Sequence, residues 1–138
     1  MKKILCIDDD PVTIMFCTGI IKRNSFAAEV VSALGGQQAI DYYASLQKAS
    51  AGEKEHYPDL IFLDLNMPIM NGWEFLDEFV KTYYSDFPKT KVAILTSSID
   101  PKDEERATEY TIAIDFLSKP LTAKMLNELK TIFESEQK

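Results

Sequence analysis

Residues 60–72 read Leu60-Ile61-Phe62-Leu63-Asp64-Leu65-Asn66-Met67-Pro68-Ile69-Met70-Asn71-Gly72. An unbroken apolar run such as Leu60–Leu63 marks a strand covered on both faces, the condition of a parallel sheet. The run ends on a carboxylate, and Pro68 and Gly72 then mark a turn before the next helical pattern. An acid pushed out of a buried strand, with no cation nearby in sequence, needs a counter-charge, a proton or a reaction to justify its position.

The same alternation recurs on both sides of this stretch. Ile4–Ile7 is a second continuous apolar run, cut off by Asp8-Asp9-Asp10. Asp10 then offers a helix cap and Pro11 fits the first helical position. Val12, Met15, Phe16 and Gly19-Ile20 recur at helical spacing, which carries a first helix to about Arg23. Glu29–Ala33 reads as the second strand, Gly35-Gly36 as the turn after it, and Ala39, Ile40, Tyr43 and Leu46 as the buried stripe of a second helix. Lys48–His56 is polar and reads as a loop or frayed helix end. The third helix spans Gly72–Tyr84 with Phe75, Leu76 and Phe79 inward, and Asn71-Gly72 supplies a positive-φ turn before it. Val92–Leu95 is the fourth strand, Asp100-Pro101 opens a fourth helix by the same cap-plus-proline device, and Ile114–Leu117 is the fifth strand. Thr122 caps a last helix carrying Met125, Leu126, Leu129, Ile132 and Phe133.

Five strand–helix units imply an α/β fold, a doubly wound parallel sheet with five helices on its two faces, joined by right-handed crossovers. With 138 residues the chain is long enough for one domain with a real core, expected to span 1–138 with no attached output domain. The formal net charge is −7, and Lys2-Lys3 and Lys22-Arg23 are pairs, not stripes, so direct nucleic-acid binding is not expected. Cys6 and Cys17 lie inside apolar patterns and read as small buried hydrophobes. The apolar stretch at the N-terminus is too short for a signal peptide and no segment reaches membrane-spanning length, so a cytoplasmic protein is expected.

In open α/β sheets, function collects at the carboxyl ends of the strands near the topological switch point. The residues leaving those ends are Asp8-Asp9, Asp64, Thr96-Ser97 and Lys119. If the first and third strands are neighbours, three acids share one pocket. Two carboxylates about 4 Å apart repel by roughly 4 kcal/mol at an effective dielectric near 20. Such a cluster raises a pKa or recruits a hard divalent cation, and Mg²⁺ fits an all-oxygen site that works alongside phosphate. Asp64 then suits a carboxylate nucleophile toward a phosphoryl group, Thr96 a hydrogen-bond donor to its oxygens, and Lys119 a point cation.

This arrangement resembles the response-regulator receiver domain of two-component signalling over essentially the whole chain. The residues that carry the likeness are Asp8-Asp9, Asp64, Met67-Pro68 with Asn71-Gly72, Thr96-Ser97 and Lys119-Pro120. The resemblance implies a flavodoxin-like strand order 2-1-3-4-5 and a phosphoryl group accepted on Asp64 from a sensor histidine kinase or histidine phosphotransfer protein. It implies that Asp9, Asp64 and the Asn66 carbonyl hold Mg²⁺, with Asp8 acting largely through water. Lys119 pairs with the acceptor, Thr96 and Phe116 form the switch pair, and Lys119–Pro120 is expected to be cis. A downstream protein is expected to read the face of the fourth helix, fifth strand and last helix. Three places depart from the family pattern: Phe116 lacks the hydroxyl of a tyrosine, Ile112 stands where glycine is common, and Lys48–His56 is long.

The bland readings stand beside these. Asp10 is a cap. Trp73, Met67 and Met70 are packing residues, and His56 is a surface residue. Ile7-Asp8-Asp9-Asp10 also resembles the opening of haloacid-dehalogenase-type phosphatases, with Asp8 as nucleophile and Asp10 as acid/base, but the further acidic pair and the cap of that family are missing. A receiver-fold adaptor that signals without phosphorylation is the third reading, and the complete set of acids, hydroxyl and lysine argues against it.

Overall fold

Each central strand carries apolar residues on both faces, and different helices bury the two faces. In the computed structural model, which describes residues 1–98 and 100–136, the strands are β1 (Lys3–Ile7), β2 (Glu29–Ala33), β3 (Leu60–Leu63), β4 (Lys91–Thr96) and β5 (Ala113–Ser118). They form one parallel sheet in the order β2-β1-β3-β4-β5. The helices among the described residues are α1 (Pro11–Arg23), α2 (Gly36–Gln47), α3 (Ala51–Lys54), α4 (Gly72–Glu78), α5 (Pro101–Ala107) and α6 (Ala123–Glu136). The expected range 1–138 includes Ile99, Gln137 and Lys138, which lie outside the described residues.

Leu5, Ile7, Ile61, Leu63, Val92 and Ile94 face one way and pack with Ala39, Tyr43, Phe75, Leu76 and Phe79 of the α2–α4 side. Ile4, Cys6, Leu60, Phe62, Ala93 and Leu95 face the other way, against Cys17, Ile21, Leu126 and Leu129 of α1 and α6. Adjacent residues of one strand thus enter different cores, which is why the runs are continuous and not alternating. Each fully buried Leu or Ile contributes about 1.5–3 kcal/mol.

Three local readings change. α1 forms as expected, with the Asp10 side chain accepting from Val12 N–H and Pro11 in its first turn. Yet Val12 and Met15 are 68% and 71% exposed, and the helix buries Cys17 and Ile21 instead. Apolar residues stand on almost every side of this helix, so spacing alone does not choose the inward face. Lys48–His56 contains α3, capped by Ser50. Gln47 Nε2 donates to Asp86 Oδ2 at 2.8 Å and Lys54 lies 3.9 Å from Asp86, which ties this extension to the loop before β4. The helix that starts at Gly72 continues after Glu78 as a π-helical turn, Phe79–Tyr83, closed by Tyr84 N–H to Phe79 O at 2.8 Å.

The positive φ expected at Asn71-Gly72 falls on Ile69, at φ 69°. Met70 N–H donates to Pro68 O at 2.8 Å across it, closing a γ-turn of the strained, positive-φ kind. Asn71 is instead an N-cap: it accepts from Glu74 N–H, and Glu74 returns the bond to Asn71 N–H. Gly72 is required by close approach. A Cβ there would lie 2.6 Å from Asp64 O and 2.8 Å from Leu65 Cα, so α4 starts directly against the backbone that carries Asp64.

Candidate functional site

The register decides which acids meet. Ile7 of β1 pairs with Leu63 of β3, so Asp8 and Asp64 leave the sheet side by side. β2 and β3 flank β1 on opposite sides, which makes the β1/β3 boundary the switch point. Asp64 N–H donates to Ile7 O at 3.0 Å and Asp8 N–H to Ala33 O at 3.1 Å, so both acidic residues are still anchored by strand hydrogen bonds. Asp8 and Asp64 are 5% and 4% exposed, while Asp9 is exposed.

Lys119 comes to them from the end of β5. Its Nζ lies 2.7 Å from Asp8 Oδ2 and 3.4 Å from Asp64 Oδ2. The Lys119–Pro120 peptide is cis. Asp10 N–H donates to Asp8 Oδ1 at 3.0 Å and Asn66 N–H to Asp64 Oδ1 at 3.3 Å. Burial, then the Asp8 charge, raises the Asp64 pKa above the ordinary carboxylate value, and Lys119 and the Asn66 N–H offset only part of this. Burial alone would lower the Lys119 pKa, but its bond to Asp8 and the charges of Asp64 and Asp8 outweigh that and raise it. Lys119 is therefore a fixed cation.

Carboxylate oxygens of Asp8, Asp9 and Asp64 lie within 4.8 Å of one another. Three acids against one lysine leave the pocket negatively charged, with oxygen donors alone. That donor set fits Mg²⁺. Asp8 already spends its oxygens on Lys119 and Asp10 N–H, whereas Asp9 is open to solvent.

Thr96 is the last residue of β4 and fully buried. Its Oγ1 accepts from Ser98 N–H at 3.2 Å and from Asn66 Nδ2 at 3.5 Å, so it belongs to the same pocket. Phe116 is half-buried and packs against the core on the α2–α5 side. Asp10 is a cap, Cys6 and Cys17 are buried, and His56 is exposed. Burial raises the Cys6 thiol far above its ordinary value and pushes Cys17 up to about 11, so neither is a nucleophile at neutral pH.

Sequence reading missed two features. Ser98 Oγ donates to Asp103 Oδ2 at 2.5 Å, which links Thr96 to α5. Trp73 packs under Arg106 and Tyr110 of the α5 region. Both contacts join separate elements, and no spacing within one element signals them.

Residues 4–131 match the family model described as the response regulator receiver domain. The chain belongs to that family. A two-component response regulator from Cytophaga hutchinsonii is 33% identical, with a TM-score of 0.87 and 98% of each chain covered. Response regulator GtcR from Aneurinibacillus migulanus is 25% identical over 96% of this chain and 50% of its own length. Histidine kinase CKI1 from Arabidopsis thaliana is 29% identical over 94% of this chain and 12% of its own length. This chain thus spans half or less of both curated relatives. No helix among the described residues is long and apolar enough to cross a membrane.

Proposed function

We propose that this chain is a phosphorylation-controlled signalling switch, a phosphoacceptor and not a turnover enzyme, whose acceptor is Asp64. The observation that carries the reading is a buried carboxylate at the sheet's switch point, 3.4 Å from Lys119 and within 4.8 Å of two further acids. An oxygen of Asp64 attacks the phosphorus of a phosphohistidine on a sensor kinase or histidine phosphotransfer protein. The P–N bond breaks, the imidazole leaves with its electron pair and takes a proton from water, and an acyl phosphate remains on Asp64.

Asp9, Asp64 and the Asn66 carbonyl would hold Mg²⁺, with Asp8 behind them; the ion supplies charge neutralisation for the transferring phosphoryl oxygens. Lys119 provides a second positive charge, already held in place by Asp8. Thr96 donates its hydroxyl proton to a phosphoryl oxygen. Phe116 has no hydroxyl, so its part in the switch is a change of packing. The output leaves by protein–protein contact on the face of α5, β5 and α6, above Thr96 and Phe116. The two buried free thiols fit a reduced, cytoplasmic setting.

The test is incubation with Mg²⁺ and a small phosphodonor, followed by mass-spectrometric location of the adduct. The expected result is one acid-stable, base-labile phosphoryl group on Asp64. An adduct on Asp8 would indicate phosphatase-type chemistry, and the absence of any adduct would indicate an adaptor; either refutes the proposal.

A further inference from the structure

A cavity also lies at the edge of the sheet opposite the acids. It is a groove of about 1060 Å³ across the N-terminal ends of the strands. That volume is near the upper end of the roughly 300–1,000 Å³ common for small-molecule sites. β1 and β3 both begin beside it, at Lys3 and just after Asp59, and both end at the acids. The groove and the acid pocket are therefore the two ends of the same strands, about 13 Å apart along β1.

Its inner surface is apolar and mostly aromatic. Phe26 and Leu126 are buried, and Tyr57 and Phe133 are half-buried. Leu126, Lys130 and Phe133 stand at i, i+4 and i+7 and present one face of α6 to it. Tyr57 comes from the segment that follows α3. Its ring lies 5.1 Å from Phe87, and its hydroxyl accepts from Lys89 N–H at 3.1 Å. The Tyr57 ring and the Lys89 backbone are thus held in a fixed relation. Lys54, 3.9 Å from Asp86, ties α3 to the same loop.

The charges at the rim are not equivalent. Glu29 lies 3.6 Å from Lys3 Nζ, and Asp59 Oδ2 accepts from Lys2 N–H and Lys3 N–H at 2.9 and 3.1 Å. Those two acids already have partners. Lys2, Lys89 and Lys130 reach the groove from three separate parts of the chain. All are exposed, and none forms an ion pair among the described residues. Glu55 and Glu134 are the acids left to oppose them. In a chain of net charge −7, unpaired amines therefore outnumber unpaired carboxylates here.

An aromatic surface with unpaired amines at its rim suits a molecule that joins a flat ring to an anionic group. A bare anion would leave the rings uncovered, and a neutral ring would leave the amines unmatched. A nucleotide carries both parts. We propose that this groove is a nucleotide-binding site, with the base against Tyr57 and Phe133 and the phosphate taken by Lys2, Lys89 and Lys130. The site uses none of the residues assigned to phosphoryl transfer and stands or falls apart from Asp64.

The test is an amide chemical-shift titration of the whole chain with AMP and GMP, in chelator so that no metal carries nucleotide to the acids. Adenosine, guanosine and inorganic phosphate are titrated separately as the two halves. At least one nucleotide should saturate with a Kd below about 1 mM. It should shift Phe26, Tyr57, Lys89 and Lys130 and leave Asp8, Asp64 and Thr96 in place. Each half should bind roughly tenfold more weakly or worse, because it meets only one of the two surfaces. Lys89→Gln and Lys130→Gln should each weaken binding roughly two- to fivefold, and Glu55→Gln should tighten it by a similar factor. The proposal is overturned if neither nucleotide moves these amides, if either half binds as tightly as the whole, or if the shifts centre on the acids. Weaker binding by Glu55→Gln overturns it as well.

Discussion

Replacing Asp64 by asparagine should stabilise the Mg²⁺-free protein. The substitution keeps the shape and the hydrogen-bond acceptor for Asn66 N–H but removes a charge that its surroundings oppose. With carboxylate oxygens within 4.8 Å, Asp8 and Asp9 each repel Asp64 by about 3.5 kcal/mol at an effective dielectric of 20. Lys119, at 3.4 Å, returns about 5 kcal/mol on the same scale. The balance is about 2 kcal/mol against an ionised Asp64, which solvent screening of the exposed Asp9 reduces. Asp64→Asn should therefore gain about 1–2 kcal/mol, a rise in Tm of roughly 3–8 °C for a chain of this size. The assay is thermal and urea unfolding of both proteins at low ionic strength, with chelator and then with saturating Mg²⁺. Mg²⁺ should raise the wild-type Tm more than that of the variant, because a cation at the three acids stabilises only the form that keeps them. The pH dependence has a definite sign. An acid whose folded pKa lies above its ordinary value of 3.8 binds its proton more tightly when folded. Its ionisation therefore costs stability, and that cost disappears as pH falls through the folded pKa. The advantage of the asparagine should be complete above that pKa and absent below 3.8. An Mg²⁺-free variant no more stable than wild type at neutral pH would refute the reasoning.

Other consequences can be measured separately. Ile69, at φ 69° and 99% exposed, holds a β-branched residue in a left-handed turn with no packing in return; Ile69→Asn should gain about 1 kcal/mol in urea unfolding, and a loss would show that the turn is not strained. Gly72→Ala drives a Cβ to 2.6 Å from Asp64 O, so Asp64 should take up phosphoryl groups more slowly from a small donor. Gly52→Ala, where a Cβ meets nothing within 4 Å, is the control; equal losses in both variants would contradict the placement of α4 against Asp64. Lys119→Ala leaves Asp8 and Asp64 facing each other and should destabilise the Mg²⁺-free protein by about 2–3 kcal/mol. That cost should shrink when Asp64→Asn is added, and strict additivity of the two changes would mean that the lysine and Asp64 do not interact.

The sheet was legible because its signal is redundant. Leu60–Leu63, Ile4–Ile7 and Val92–Leu95 are continuous apolar runs buried on both faces, and a doubly wound parallel sheet places such runs at its centre. The acids, Thr96 and Lys119 were legible because each leaves a strand at the same edge, so strand order alone brings them together. Helix facing was less legible. In α2 the apolar residues Ala39, Ile40 and Tyr43 define one side, and that side is buried. In α1, Val12, Ile14, Met15, Phe16, Cys17, Ile20 and Ile21 leave almost no polar side, and the stripe with the clearest spacing is the one that meets solvent. Periodicity identifies a helix before it identifies a face.

What no periodicity carries is contact between elements. Asn71-Gly72 looks like a flexible turn, because glycine after asparagine is common where φ is positive. Here the glycine is helical, and its missing Cβ admits the backbone of Asp64. The strain expected of that turn is displaced to Ile69, a residue whose side chain gives no warning of it. Ser98 with Asp103, and Trp73 with Arg106 and Tyr110, are likewise ordinary residues of two loops and two helices until the sheet brings them together. The distinction is physical. The chemistry of the pocket sits at strand ends, whose relative positions are fixed by ladder hydrogen bonds from Ile7 to Leu63 and onward. The coupling of that pocket to α5 runs through side chains on elements that no ladder joins. The first kind of site repeats wherever the sheet repeats. The second belongs to the particular side chains of this chain, Ser98 with Asp103 and Trp73 with Arg106 and Tyr110.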